Sequence, residues 1–256
     1  MPFESLSLLL LAWLVFVILF AGLIQGALGF GFPFVATPLV AMASDMRTAV
    51  ITIVVPTLAV IVVNLAKSGP LLPVLKRFWM MPVYAAAGSA VGTWLFVVAP
   101  GVPYSLLLAL ITLAYLNLDR LGLGELPVVR QHERAFAPVS GFAAGVFEGT
   151  ANVAAPPLII FYLALGLAPA VLVQALNICF FVGKATQFAV LATRGGITAA
   201  QWLATLPLAA IAVAAFFGGL RIRHRIDART FRLWVKRALF VIALVLLAQY
   251  AYSLIA

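Results

Sequence analysis

The stretch GLIQGALGFGFPFVATPL, residues 22–39, lies in a run that carries no Lys, Arg, Asp or Glu between Glu4 and Asp45. Glycine and proline are poor residues for a helix interior, yet they cluster midway along this run. Backbone that leaves the helix at membrane depth exposes N–H and C=O groups that no water can bond. It survives only where protein covers it or where it lines a polar cavity. The stretch therefore predicts a helix broken near residues 26–33, with the freed backbone put to use.

Composition sets the medium. Of 256 residues, 65% are hydrophobic and 9% are charged, and mean hydropathy is +1.18. A soluble domain of this length could not cover such a chain with polar surface. Apolar runs recur at about the 20 residues that a helix needs to span hydrocarbon. The alternating short segments of a β-barrel are missing. An all-α polytopic membrane protein follows.

Apolar segments are expected at residues 6–43 (broken), 48–66, 78–98, 104–118, 136–167 (broken near 149–157), 170–192, 201–220 and 234–254. The first lacks a basic leader and exceeds the length of a signal-peptide core, so it is read as part of the fold. Formal charge is +9, but the basic residues sit in short connections, where they set orientation rather than bind nucleic acid. Cys179 is the single cysteine, and His132 and His224 lie in separate polar loops. Neither a metal site nor a cofactor is expected.

The second broken run, GVFEGTANVAAPPLIIFYLALGL at residues 145–167, aligns with the first. Gly22 matches Gly145, Gln25 matches Glu148, Gly26 matches Gly149 and Pro33 matches Pro156, all 123 residues apart. Pro82 and Pro207 match at a separation of 125. Two related halves are predicted, 1–120 and 135–256, joined by a cytoplasmic linker at 121–134. Loop charge decides the threading. If each broken run crosses once, the positive-inside rule fails. If each goes in and returns, residues 67–77, 120–134 and 221–237 share the cytoplasmic face. Each half then has an odd number of passes, the halves are inverted, and both termini lie outside.

Two breaks near the midplane suit a small anion, because the returning arms present free N–H groups and the positive end of a helix dipole. Gln25, Gly29, Gly31, Thr150 and Asn152 line these breaks as candidate substrate contacts. Glycines spaced by four, at Gly22 and Gly26 and at Gly141, Gly145 and Gly149, also permit close helix packing, which is the competing explanation.

Lys184 lies ten residues, about 15 Å of helix, from Arg194, beyond snorkelling reach. A lysine at that depth is a functional candidate. Asn177, Gln174 and Gln187 fall on one stripe with it. Lys184 either faces the anion or pairs with Glu148. Glu148 is the sole acid between Glu133 and Asp227, and is a candidate proton carrier or a structural partner of Lys184. Thr57 and Asn64 are expected to bond between helices. Trp13, Trp79, Trp202 and Trp234 read as interfacial, and residues 221–237 as a basic amphipathic surface helix for anionic lipid or a partner.

Together with QALNICFFVGKATQ at 174–187, the two broken motifs resemble the TauE/SafE sulfite exporter family over essentially the whole chain. That resemblance implies movement of sulfite, organosulfonates or related small organic anions across the bacterial inner membrane, and it supports an anion-facing Lys184. Asn152 and Ala155 stand where the family commonly has glycine. No nucleotide-binding motif is present, so a transporter would be driven by protons, an ion gradient or the substrate's own gradient. The alternative is a non-transporting membrane scaffold; an enzyme would need convergent His, Asp and Cys residues that the sequence lacks.

Overall fold

In hydrocarbon a single segment can satisfy its own backbone only as a helix, and helix is what the apolar runs form. A computed structural model describes residues 8–117 and 126–222, together with 237, 240–241, 243–248 and 250–251 of the last apolar segment. His224, Trp234 and nearly all of the basic stretch 221–237 lie outside the described residues, as does much of the linker 121–134. Among the described residues there is no strand.

The first broken run becomes α1 (Leu8–Leu28) and α2 (Phe32–Ala43), followed by α3 (Met46–Lys67), α4 (Leu72–Phe78), α5 (Met80–Val98) and α6 (Tyr104–Leu116). After α7 (Pro127–Gln131), the second broken run becomes α8 (Glu133–Ala151) and α9 (Ala155–Ala164). Then come α10 (Pro169–Arg194), α11 (Ala199–Leu203) and α12 (Leu206–Ile222). Five helical segments are long and apolar enough to cross a membrane: α1, α3, α5, α10 and the α11–α12 stretch. The chain is a multi-pass membrane protein.

Both breaks reverse the chain. Trp13, near the start of α1, donates its indole N–H to the Leu39 carbonyl at 3.1 Å. Leu39 lies well past the break, so α2 must run back along α1. Trp13 thus does more than mark an interface. In the second run α9 returns to touch α7, the short helix that precedes α8. Pro33 and Pro156 fall in the first turns of the returning arms. The N–H that proline lacks has no intrahelical partner there, so proline starts a helix without cost.

One end of the bundle gathers the polar connections. The Lys67 ammonium lies 6.0 Å from the Phe217 ring centre near the end of α12, and Arg77 pairs with Glu133 at 3.9 Å. The ends of α3, α4 and α12 therefore share one face with the start of α8. At the opposite end Arg47 donates to the Gly195 carbonyl at 2.7 Å. Since Gln174 donates to the carbonyls of Ser68 and Pro70 at 3.2 and 3.1 Å, α3 and α10 lie antiparallel.

The glycine rows explain the tightest packing. On α1, Gly22 and Gly26 meet the backbone of α12, and on α8, Gly145 and Gly149 meet that of α5. A Cβ on Gly26 would stand 2.1 Å from the Phe216 carbonyl, and one on Gly149 would stand 2.3 Å from Thr93 N. The facing positions correspond: Ala85 and Ala212, Ser89 and Phe216, Gly92 and Gly219, each pair 127 residues apart. This differs from the separation of 125 read from Pro82 and Pro207. Proline near a helix start marks the start and does not fix packing register. Two close helix pairs result, α1 with α12 and α8 with α5.

Candidate functional site

The reversal at each break needs a residue with positive φ, and the breaks supply it at matching positions. Gly29 has φ +84° and Asn152 has φ +62°; asparagine is among the few side chains that tolerate this region. Gly31, with φ +112°, forms the N-cap of α2. The local bonding also corresponds. Gly29 N–H donates to the Gln25 carbonyl at 2.7 Å and Asn152 N–H to that of Glu148 at 3.0 Å. Across the break, Phe32 N–H donates to Gln25 Oε1 at 2.9 Å and Ala154 N–H to Glu148 Oε2 at 3.1 Å. In each run one side chain from the arriving helix holds the first N–H groups of the returning arm.

Around these breaks the side chains form two clusters. The first is neutral. The Gly29 carbonyl accepts from Asn64 Nδ2 and Asn177 Nδ2, both at 2.7 Å, and from Gln25 Nε2 at 3.3 Å. Asn177 Oδ1 accepts from Gln25 and Asn64 at 3.2 and 3.1 Å. The second cluster is charged. The Lys184 ammonium pairs with Glu148 Oε1, touches Asn152 Oδ1 and donates to Gln187 Oε1 at 2.8 Å. Gln187 Nε2 donates to the Glu148 carbonyl at 3.0 Å, and Asn152 Nδ2 to Thr37 Oγ1 of α2 at 2.7 Å.

Both clusters are sealed. Gln25, Asn64, Glu148, Asn152, Asn177, Lys184 and Gln187 are all at most 6% exposed. Helix α10 carries one part of each, since Asn177 and Lys184 are seven residues apart, about 10 Å along the axis. The clusters are therefore staggered on α10 rather than meeting at one level, because each break anchors to a different turn of it. The neutral cluster lies toward the end with Ser68 and Pro70, and the charged one toward the end with Arg47 and Gly195.

Most candidates from the sequence come together here: Gln25, Gly29 and Asn177 in one cluster, Glu148, Asn152, Lys184 and Gln187 in the other. Thr150 stands apart, its hydroxyl bonded to Val146 O of its own helix at 2.7 Å. Thr57 is likewise bonded to Ile53 O at 2.7 Å within α3. Asn64 bonds between helices as expected, reaching Gly29 and Asn177 from α3. Thr37 enters as an unexpected partner of Asn152. Its signal in the sequence is slight: a single small polar residue inside an apolar arm, where a hydroxyl often bonds its own helix.

Two returning arms, each pinned by one side chain and matched across the chain, are the setting for a comparison with known proteins. The profile described as Sulfite exporter TauE/SafE matches residues 14–248. The chain belongs to the TauE/SafE family. Both breaks and both clusters fall wholly within the match. No curated protein and no solved structure shows significant similarity to it. TauE/SafE proteins are membrane transporters, so the buried polar clusters sit in a protein of a transporter family.

Proposed function

We propose that this TauE/SafE protein is a secondary transporter that exports a small anion, sulfite, an organosulfonate or a related organic acid, across the bacterial inner membrane. The observation that carries the reading is the pair of broken helices whose polar side chains converge, wholly buried, on α10. Packing alone accounts for the glycines. It does not call for a lysine, a glutamate and five side-chain amides in the interior. In this reading the halves are inverted repeats, with the end of the bundle at Lys67, Arg77 and Arg221 in the cytoplasm, as basic connections favour. Gln25, Gly29, Gly31, Asn152, Asn177, Lys184 and Gln187 line the path, and Thr150, bonded within its own helix, does not. A cytoplasm-negative potential favours anion efflux by about 2.3 kcal/mol per charge per 100 mV, so export needs no coupling ion.

Glu148 adds proton control. In the sealed state its carboxylate compensates Lys184. A proton on Glu148 removes that compensation and leaves the ammonium free to attract the anion. Among the described residues packed around it, α10 contributes Lys184 as the one charged group. Neighbouring Ser89 and Thr93 of α5, Thr37 of α2 and the backbone of α9 contribute none. The test is sulfite and methanesulfonate flux from liposomes that contain the purified protein, across a pH series, for the parent and for Glu148→Gln. Flux in the parent that depends on pH, flattened in Glu148→Gln, is the expected result. No anion flux in the parent under any gradient would leave a scaffold, and unchanged pH dependence in the variant would reduce Glu148 to a structural residue.

A further inference from the structure

The neutral cluster has too many donors. Three side-chain amides, from Gln25, Asn64 and Asn177, direct N–H groups at the single carbonyl oxygen of Gly29. A carbonyl oxygen has two lone pairs, so one donor is always under-served. The amide orientations are set by groups that cannot be reversed. Gln25 Oε1 must face the Phe32 N–H, which turns its NH₂ toward Gly29. Asn177 Nδ2 also donates to the Val173 carbonyl at 2.8 Å, which turns its NH₂ inward. The remaining acceptor, Asn177 Oδ1, is shared by two donors. No carboxylate belongs to this cluster among the described residues, and the first N–H groups of α2 adjoin it.

Deepening the transport reading on which it rests, we infer that the Gln25–Asn64–Asn177 amides are the seat of the anion's oxygens, and that the Gly29 carbonyl holds their place in the sealed state. An entering oxyanion replaces one over-subscribed carbonyl with several acceptor oxygens, so every inward N–H finds a partner. Gly29 can turn its carbonyl away because glycine crosses between positive and negative φ without a side-chain penalty. Hydrogen bonds from neutral N–H groups to an ionised acceptor are shorter and stronger than those to a neutral carbonyl. A seat in which donors outnumber acceptors, with Asn177 Oδ1 already taken by two of them, also sets the chemical class: a head group rich in acceptor oxygens. Lys184, paired with Glu148 a further two turns along α10, supplies long-range attraction and does not touch the head group.

The probe is methanesulfonate, which has three acceptor oxygens and no O–H. Its flux is measured in liposomes for the parent, Asn64→Asp and Asn177→Asp, and for Asn64→Thr as a milder change that keeps a hydroxyl donor. Each aspartate exchanges an inward NH₂ for a carboxylate oxygen of the same shape. KM is expected to rise by at least about tenfold in both aspartate variants and severalfold in Asn64→Thr, whose pH profile should match that of the parent. Lowering the pH until the new aspartate is protonated should restore part of the affinity, because its O–H can donate. If the parent transports methanesulfonate and the variants that fold keep KM within about twofold, the seat is elsewhere. If the parent neither binds nor moves any anion, the transport reading itself fails, whatever these variants do.

Discussion

The two breaks share a backbone design and differ in charge. At each, a residue with positive φ turns the chain, one long polar side chain reaches across to the returning arm, and an amide from a neighbouring membrane helix bonds the end of the arriving helix. In the first break that long side chain is Gln25, and the cluster is completed by amides. In the second it is Glu148, and the cluster is completed by Lys184. Separations of about 123 residues relate Gln25 to Glu148, Gly29 to Asn152 and Asn64 to Gln187, but set Lys184 against Ile61. A single backbone solution holds a neutral amide cluster on one side of α10's middle and an ion pair on the other. The two breaks differ in charge and not in backbone.

The sharpest way to break that comparison is to leave one charge alone. Lys184→Met strands Glu148 inside the bundle. Breaking a buried pair by removing one partner costs about 3–5 kcal/mol. The neutral cluster has nothing comparable to lose. We expect Lys184→Met to lower the melting temperature of the purified protein markedly, and the double variant Glu148→Gln, Lys184→Met to recover most of the loss. A double variant no more stable than the single one would mean that the pair is not what holds the second break.

How much of this was legible before the structure depended on chemistry rather than position. Proline and glycine amid apolar residues announced both breaks, because few other reasons put them there. Lys184 and Glu148 announced themselves because charge at membrane depth is costly, though only their distance in space could decide that they pair. Thr37 was nearly silent. A small polar side chain in a membrane helix bonds its own backbone as readily as a neighbour's, as Thr57 and Thr150 do, and sequence does not separate the two. The match of Pro82 with Pro207 carried no packing register, which lies in small residues that meet backbone, at Gly92 and Gly219.

The next effect tests whether the two clasps are equivalent. Gly26→Ala and Gly149→Ala each drive a methyl into the backbone of a facing helix, with no flexible side chain to yield. Overpacking of this kind costs about 1–3 kcal/mol. Both variants should melt lower by similar amounts, and Gly166→Ala, which has nothing within 4 Å but needs positive φ, should lose less. Unequal losses at Gly26 and Gly149 would show that the two halves are not fastened alike. The double variant should be close to additive, because the clasps share no partner.

The smallest effect concerns a side-chain bond that joins the first returning arm to the second break. Asn152 Nδ2 donates to Thr37 Oγ1 at 2.7 Å while Asn152 Oδ1 faces Lys184. Through this bond the position of α2 reports on the ion pair, although α2 carries no charge. Thr37→Val keeps the shape and deletes the acceptor, so Asn152 retains its contact with Lys184 but loses its tie to α2. One hydrogen bond of this kind contributes about 1 kcal/mol, and the melting temperature should fall only slightly. Transport should respond more clearly than stability. If the arm follows the pair, Thr37→Val will weaken the dependence of flux on pH without moving KM for methanesulfonate, because the amide seat is left intact. A change in KM with an unaltered pH profile would reverse the assignment: α2 would then be tuning the seat at Gly29, and the second break would act without it.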